Sequence, residues 1–173
     1  ELPADPDADA EAQALLAEAR AERSGPVVML NPGGAFGPSK LWPAERYAAV
    51  ADAMIDCRGA TVILNASPAD RPVAAAVAAG MRNPPALDFS RRDNSLPLLT
   101  RLLARTDVLV TNDTGARHIA AAVGAGVVTV FGSTDPTWAR IDYPRERIVR
   151  ADVPCSPCQR KVCPLPPGPR HHQ

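Results

Sequence analysis

The sequence predicts a doubly wound α/β domain on a parallel sheet, from about residue 26 to 150. Three observations point to it. Short apolar runs at 27–30, 61–64, 108–111 and 127–131 show no polar alternation, the pattern of strands buried on both faces. Segments with helical spacing separate these runs, as a sheet covered on both sides requires. Glycine and proline stand at the junctions, for example Gly59, Gly80 and Gly124 at helix ends and Pro43 at a helix start.

The elements follow in order. The leading segment 1–25 predicts one packing or interdomain helix over 5–23, capped by Asp7, with Glu11, Leu15, Leu16 and Ala19 at helical spacing and Ser24-Gly25-Pro26 as the stop. Strand 27–30 feeds the turn Asn31-Pro-Gly-Gly-Ala-Phe-Gly-Pro-Ser-Lys40. Pro43 opens a second helix whose inner face is Tyr47, Val50, Ala51 and Met54. Then come strand 61–64, helix 69–79, a short strand 86–88 and helix 97–104 capped by Ser95. Strand 108–111, helix 114–123 and strand 127–131 complete the alternation. Asp135-Pro136 predicts a helical turn, and Ile148-Val149 an edge strand. The remaining segment, 151–173, is rich in proline and cysteine and is expected to lie over the surface as coil.

Composition narrows the function. The 173 residues are 46% hydrophobic, enough for a core, and alanine and aliphatic residues dominate it because aromatics are only 4%. Basic and acidic residues balance at 19 each, so no positive field suited to nucleic acid arises. The longest apolar stretch, 119–132, is too short and too rich in glycine to span a bilayer. The acidic opening lacks the pattern of a signal peptide, and a cytoplasmic location is expected.

In open α/β sheets, ligands bind beyond the carboxyl ends of the strands. That rule selects three segments. The first is Thr111-Asn-Asp-Thr-Gly-Ala-Arg-His118, where a buried strand runs into a helix. Gly115 permits close backbone approach, and helix N-terminal amides with the Thr114 hydroxyl make a seat for phosphate or pyrophosphate. The same residues also suit a plain helix cap by Asp113 or Thr114, with His118 packed beneath. The second is the glycine turn that ends in Lys40. It is not a Walker loop, because Pro38 stands two residues before Lys40 and no Ser or Thr follows it. It presents one of only two lysines, as a mobile charge for a phosphate or simply to solvent. The third is Asn65-Ala-Ser-Pro-Ala-Asp70, where Asp70 suits either a helix dipole or ribose hydroxyls. A further outlet, Phe131-Gly-Ser-Thr-Asp-Pro136, offers the Ser133 and Thr134 hydroxyls to one wall of the same cleft.

Cys155, Cys158 and Cys163 form Cys-x2-Cys-x4-Cys, followed by His171 and His172. The irregular, proline-filled spacing is compatible with zinc, with a disulfide, or with a merely packed tail; no metal is expected. Cys57 falls in a helix.

The segments Asn31 to Pro43, Asn112 to Ala122 and Phe131 to Pro136, with the tail Cys155 to Pro164, resemble the ADP-heptose:lipopolysaccharide heptosyltransferases of glycosyltransferase family 9, the heptosyltransferase II branch especially. Leu41, Ala116 and Asn65 depart from the family pattern. The resemblance implies one Rossmann-like half of a GT-B glycosyltransferase, the C-terminal domain that binds the donor. It implies that Lys40 faces the phosphates and stabilises the leaving group. Asp113, Thr114, Gly115 and His118 would line the diphosphate and sugar, and Asp70 the nucleoside. The whole enzyme would be an inverting transferase that moves heptose from ADP-heptose to the lipopolysaccharide inner core, with no cofactor. Its general base and acceptor site would lie in an N-terminal domain, so this chain alone is expected to be inactive. The alternatives are a non-catalytic nucleotide-binding module and a related transferase with another nucleotide-sugar donor.

Overall fold

The computed structural model describes residues 5–165. Six parallel strands form one sheet in the order β3-β2-β1-β4-β5-β6. They are β1 (Val27–Asn31), β2 (Thr61–Leu64), β3 (Leu87–Asp88), β4 (Val108–Asn112), β5 (Gly126–Phe131) and β6 (Glu146–Arg150). The helices are α1 (Pro6–Ala19), α2 (Ala44–Arg58), α3 (Arg71–Gly80), α4 (Leu96–Leu103) and α5 (Gly115–Ala122). The chain reverses direction across the sheet between β1 and β4, which is the doubly wound topology and its switch point.

Residues in β1 alternate between two cores. Val27 and Met29 join Leu15, Leu16, Leu102 and Leu109 under α1, α4 and α5. Val28 and Leu30 join Tyr47, Ala51, Val62 and Val77 under α2 and α3. Both faces are thus apolar, which is why the strands read as continuous hydrophobic runs. Gly59 ends α2 at φ 60°, a left-handed turn that suits glycine. Ser95 caps α4, its hydroxyl accepting from the Leu98 N–H at 3.1 Å.

Several local expectations are corrected. Asp5, not Asp7, caps α1, because its carboxylate accepts the Ala8 N–H at 3.0 Å. The 68–80 segment begins as a short 3-10 turn at Pro68–Asp70 before α3. The buried face of α2 includes Ala48 and Asp52, while Val50 and Met54 are only half-buried. Asp52 is there to accept the backbone N–H groups of Arg82 and Asn83 beyond α3. Burial works against its charge, but those N–H groups and the Arg82 guanidinium outweigh it and hold the carboxyl below its ordinary range. Asp135-Pro136 does open a single turn, as expected: the Trp138 N–H donates to the Asp135 carbonyl at 3.2 Å, and the Asp135 carboxylate accepts both the N–H and the hydroxyl of Thr137 at 2.9 Å.

Candidate functional site at the switch point

A hollow of about 450 Å³ opens beyond the carboxyl ends of β1, β2 and β4. Lys40, Asp70, Asp113, Thr114 and Gly115 all line it. Three segments far apart in sequence therefore converge on one cavity, where the strand-outlet rule places a ligand.

The floor is built from strand ends. The Asn94 side-chain amide donates to the Asn65 Oδ1 at 2.6 Å, and the Asn65 side-chain amide to the Asn31 Oδ1 at 2.7 Å. Asn31 in turn donates to the Thr111 and Thr114 hydroxyls at 3.0 and 3.1 Å. This row of amides fixes Thr114 where α5 begins. Asn112 pins the glycine turn, because its amide donates to the Pro32 and Gly33 carbonyls at 2.8 and 3.1 Å and its oxygen accepts the Trp42 N–H. Trp42 is packed edge-on against the buried Tyr47, so it anchors the loop. Burial pushes the Tyr47 hydroxyl far above its ordinary range, which keeps it neutral.

Lys40 lies 5.4 Å from the centre of the Phe36 ring and forms an ion pair with Asp113, Nζ to Oδ2 at 2.6 Å. It also donates to the Asp113 carbonyl at 2.8 Å. Both side chains are 12% exposed. Two of the three ammonium donors are thereby occupied. Asp113 is held from behind by the Arg117 Nη1, 3.4 Å away, and by the Thr134 hydroxyl at 3.3 Å. Arg117 is fully buried and forks onto Glu146, Nε to Oε1 at 2.5 Å and Nη2 to Oε2 at 3.0 Å. It also donates to the Ala139 carbonyl and lies over the Phe131 ring. Glu146 pays a burial penalty, but the hydrogen bonds from Arg117 and Thr129 and the Arg117 charge exceed it, holding its carboxyl below the ordinary range.

Asp70 accepts the Gly34 N–H at 3.1 Å and the Ser67 hydroxyl at 2.5 Å. Gly33 must be small here, since a Cβ would stand 2.2 Å from the Asp70 Cγ. His118 is exposed on α5, close enough to Glu146 to act on its charge, and does not line the hollow. Sequence reasoning missed Arg117, Asn31 and Asn94. Arg117 stands beside a candidate histidine, and nothing local indicates that its partner lies on β6.

Cys155, Cys158 and Cys163 border a separate cavity of about 70 Å³ between the tail and the end of β5. All are free thiols, and among the described residues no group of three or more His, Cys, Asp or Glu is placed to hold a metal ion. His171 and His172 lie outside the described residues. Among the described residues no helix is long and apolar enough to cross a membrane.

Comparison with known proteins bears on the family and the fold. The lipooligosaccharide heptosyltransferase 2 of Haemophilus influenzae is 34% identical over 121 residues, which is 65% of this chain and 33% of that protein. A family 9 glycosyl transferase structure from Veillonella parvula shares the fold, with a TM-score of 0.77 at 23% identity over 86% of this chain and 42% of that one. The E. coli ADP-heptose lps heptosyltransferase II superposes with a TM-score of 0.68 at 25% identity, over 86% of this chain and 44% of that one. The chain thus spans about a third of the length of the curated relative. The sequence profile of glycosyltransferase family 9 (heptosyltransferase) matches residues 2–168, nearly the whole chain. By that match this chain belongs to glycosyltransferase family 9, the heptosyltransferases.

Proposed function

We propose that this chain is the donor-binding portion of an inverting glycosyltransferase that moves heptose from ADP-heptose to the lipopolysaccharide inner core. The observation that carries this reading is that Lys40 and Thr114, from two strand outlets, line one hollow at the switch point. An anionic diphosphate suits that hollow. Lys40 supplies a positive charge, Thr114 a hydroxyl, and the first turn of α5 its amides. Asp70, on the far wall beside Ser67, suits the hydroxyls of a ribose. Asp113 orders the site by holding Lys40, and His118 would reach the sugar only from the open rim of α5.

Transfer with inversion needs a base for the acceptor hydroxyl and charge stabilisation for the departing ADP. Lys40 and the α5 amides serve the second need, so the scheme uses no metal or cofactor. The base and the acceptor surface belong to a partner N-terminal domain, and the work takes place on the cytoplasmic side with the acceptor at the inner membrane. Calorimetric titration of this chain with ADP, ADP-heptose and UDP-sugars tests the reading. The expected result is binding of ADP and ADP-heptose in preference to UDP-sugars, with no heptose transfer. Equal binding of UDP-sugars would refute the donor assignment, and turnover by these residues alone would refute the division of labour.

A further inference from the structure

Residues 151–165 are coil, yet they are hydrogen-bonded to both loops that set the Lys40–Asp113 pair. On one side the Ser39 N–H donates to the Lys161 carbonyl at 3.2 Å, and the Ser39 hydroxyl contacts the Arg160 carbonyl. Gly37 is packed so closely there that a Cβ would stand 2.6 Å from the Lys161 oxygen, and its φ of 152° suits glycine. On the other side the Gln159 N–H donates to the Ser133 carbonyl at 2.8 Å, and the Ser156 hydroxyl to the Gly132 carbonyl at 2.6 Å. The Ser39 and Ser133 hydroxyls meet at 3.0 Å and join the two loops under the tail. Lys40 follows Ser39 and Thr134 follows Ser133, and both bind Asp113.

We propose that residues 155–163 act as a clasp, a positioning element that sets where the Lys40 ammonium stands and so tunes recognition of the diphosphate. The inference rests on the nucleotide reading above. Asn112 holds the two ends of the glycine turn, and the clasp adds restraint at Ser39, next to Lys40, through side-chain and backbone bonds that tie it to a second loop. None of the hydrogen bonds of Asp70 or of the amide row involves residues 155–163, so the effect of the clasp should fall on the phosphates and spare the nucleoside.

The test compares ADP with adenosine by calorimetry on the full chain, on Ser39→Ala/Ser156→Ala, and on a chain ending at Pro154 whose melting confirms folding. If the shortened chain does not fold, the double variant decides. The expected result is a loss of about fivefold to tenfold in ADP affinity with adenosine unchanged. That loss should vanish when the same changes are made on a Lys40→Ala background. An unchanged ADP affinity, an equal loss for adenosine, or a loss that persists without Lys40 would overturn the clasp. If the intact chain prefers ADP over adenosine in none of these titrations, the nucleotide reading itself fails, and the clasp with it.

Discussion

The Lys40 ammonium binds Asp113 twice, at the carboxylate and at the backbone carbonyl, joining two loops 73 residues apart. Losing Lys40 costs the nearly buried Asp113 carboxylate an ion-pair partner whatever the ligand, but only an anionic ligand also loses a charge partner of its own. Lys40→Ala should therefore weaken ADP binding by about tenfold to a hundredfold, the range of a charge-assisted hydrogen bond. Adenosine should bind as before. Equal ADP affinity in the variant, read by calorimetry, would detach Lys40 from the phosphates.

Arg117 is the most heavily committed buried side chain of the site. Arg117→Met strips Glu146 of its forked partner and Asp113 of its rear support. The expected loss is about 3–5 kcal/mol of stability, measured by urea unfolding. Arg117→Met/Glu146→Gln removes the stranded charge and should regain part of it. A double variant no better than the single one would show that packing over Phe131, not charge, explains the loss.

Acid should weaken the fold through the same pair. The folded carboxyl of Glu146 titrates below its ordinary range. Its contribution is therefore full above the unfolded value, about 4.3, and is lost as pH falls through the lower folded value. Thermal midpoints should hold from neutral pH to about 5 and then decline. Glu146→Gln should start lower and decline less. Parallel curves for both proteins would remove Glu146 from the acid transition.

Gly33→Ala probes Asp70 without substituting it. The added Cβ meets the Asp70 carboxyl, which must swing away and release the Gly34 N–H. Stability should change by about 1 kcal/mol, the scale of one hydrogen bond. The nucleotide affinity should fall to the level of Asp70→Ala. Full affinity in Gly33→Ala would mean that the ligand does not need Asp70 where it stands.

The strands were legible because residues such as Val27 to Leu30 are apolar at every position, which only a doubly covered sheet explains. The three outlets followed from the strand ends, and Lys40, Asp70, Asp113, Thr114 and Gly115 do share one cavity. His118 was less legible, since its face of α5 depends on where the first turn begins, and Thr114 stands just outside the helix. Arg117 was hidden because its meaning lies 29 residues away at Glu146. The tail's hydrogen bonds were hidden for a similar reason: backbone groups of residues 159–161 carry most of them, and side-chain identity says little about those.

The place of β1 in the sheet has a consequence for synthesis. It pairs with β2 on one edge but with β4 on the other, Asn31 lying opposite Thr111, 80 residues later. At about 5–20 residues per second, a ribosome takes roughly 4–16 s to deliver that second neighbour. Throughout that interval the nascent polypeptide carries an unfinished apolar edge at its centre. Such an edge is open to wrong pairing until its second neighbour arrives, so slower translation lengthens the exposure.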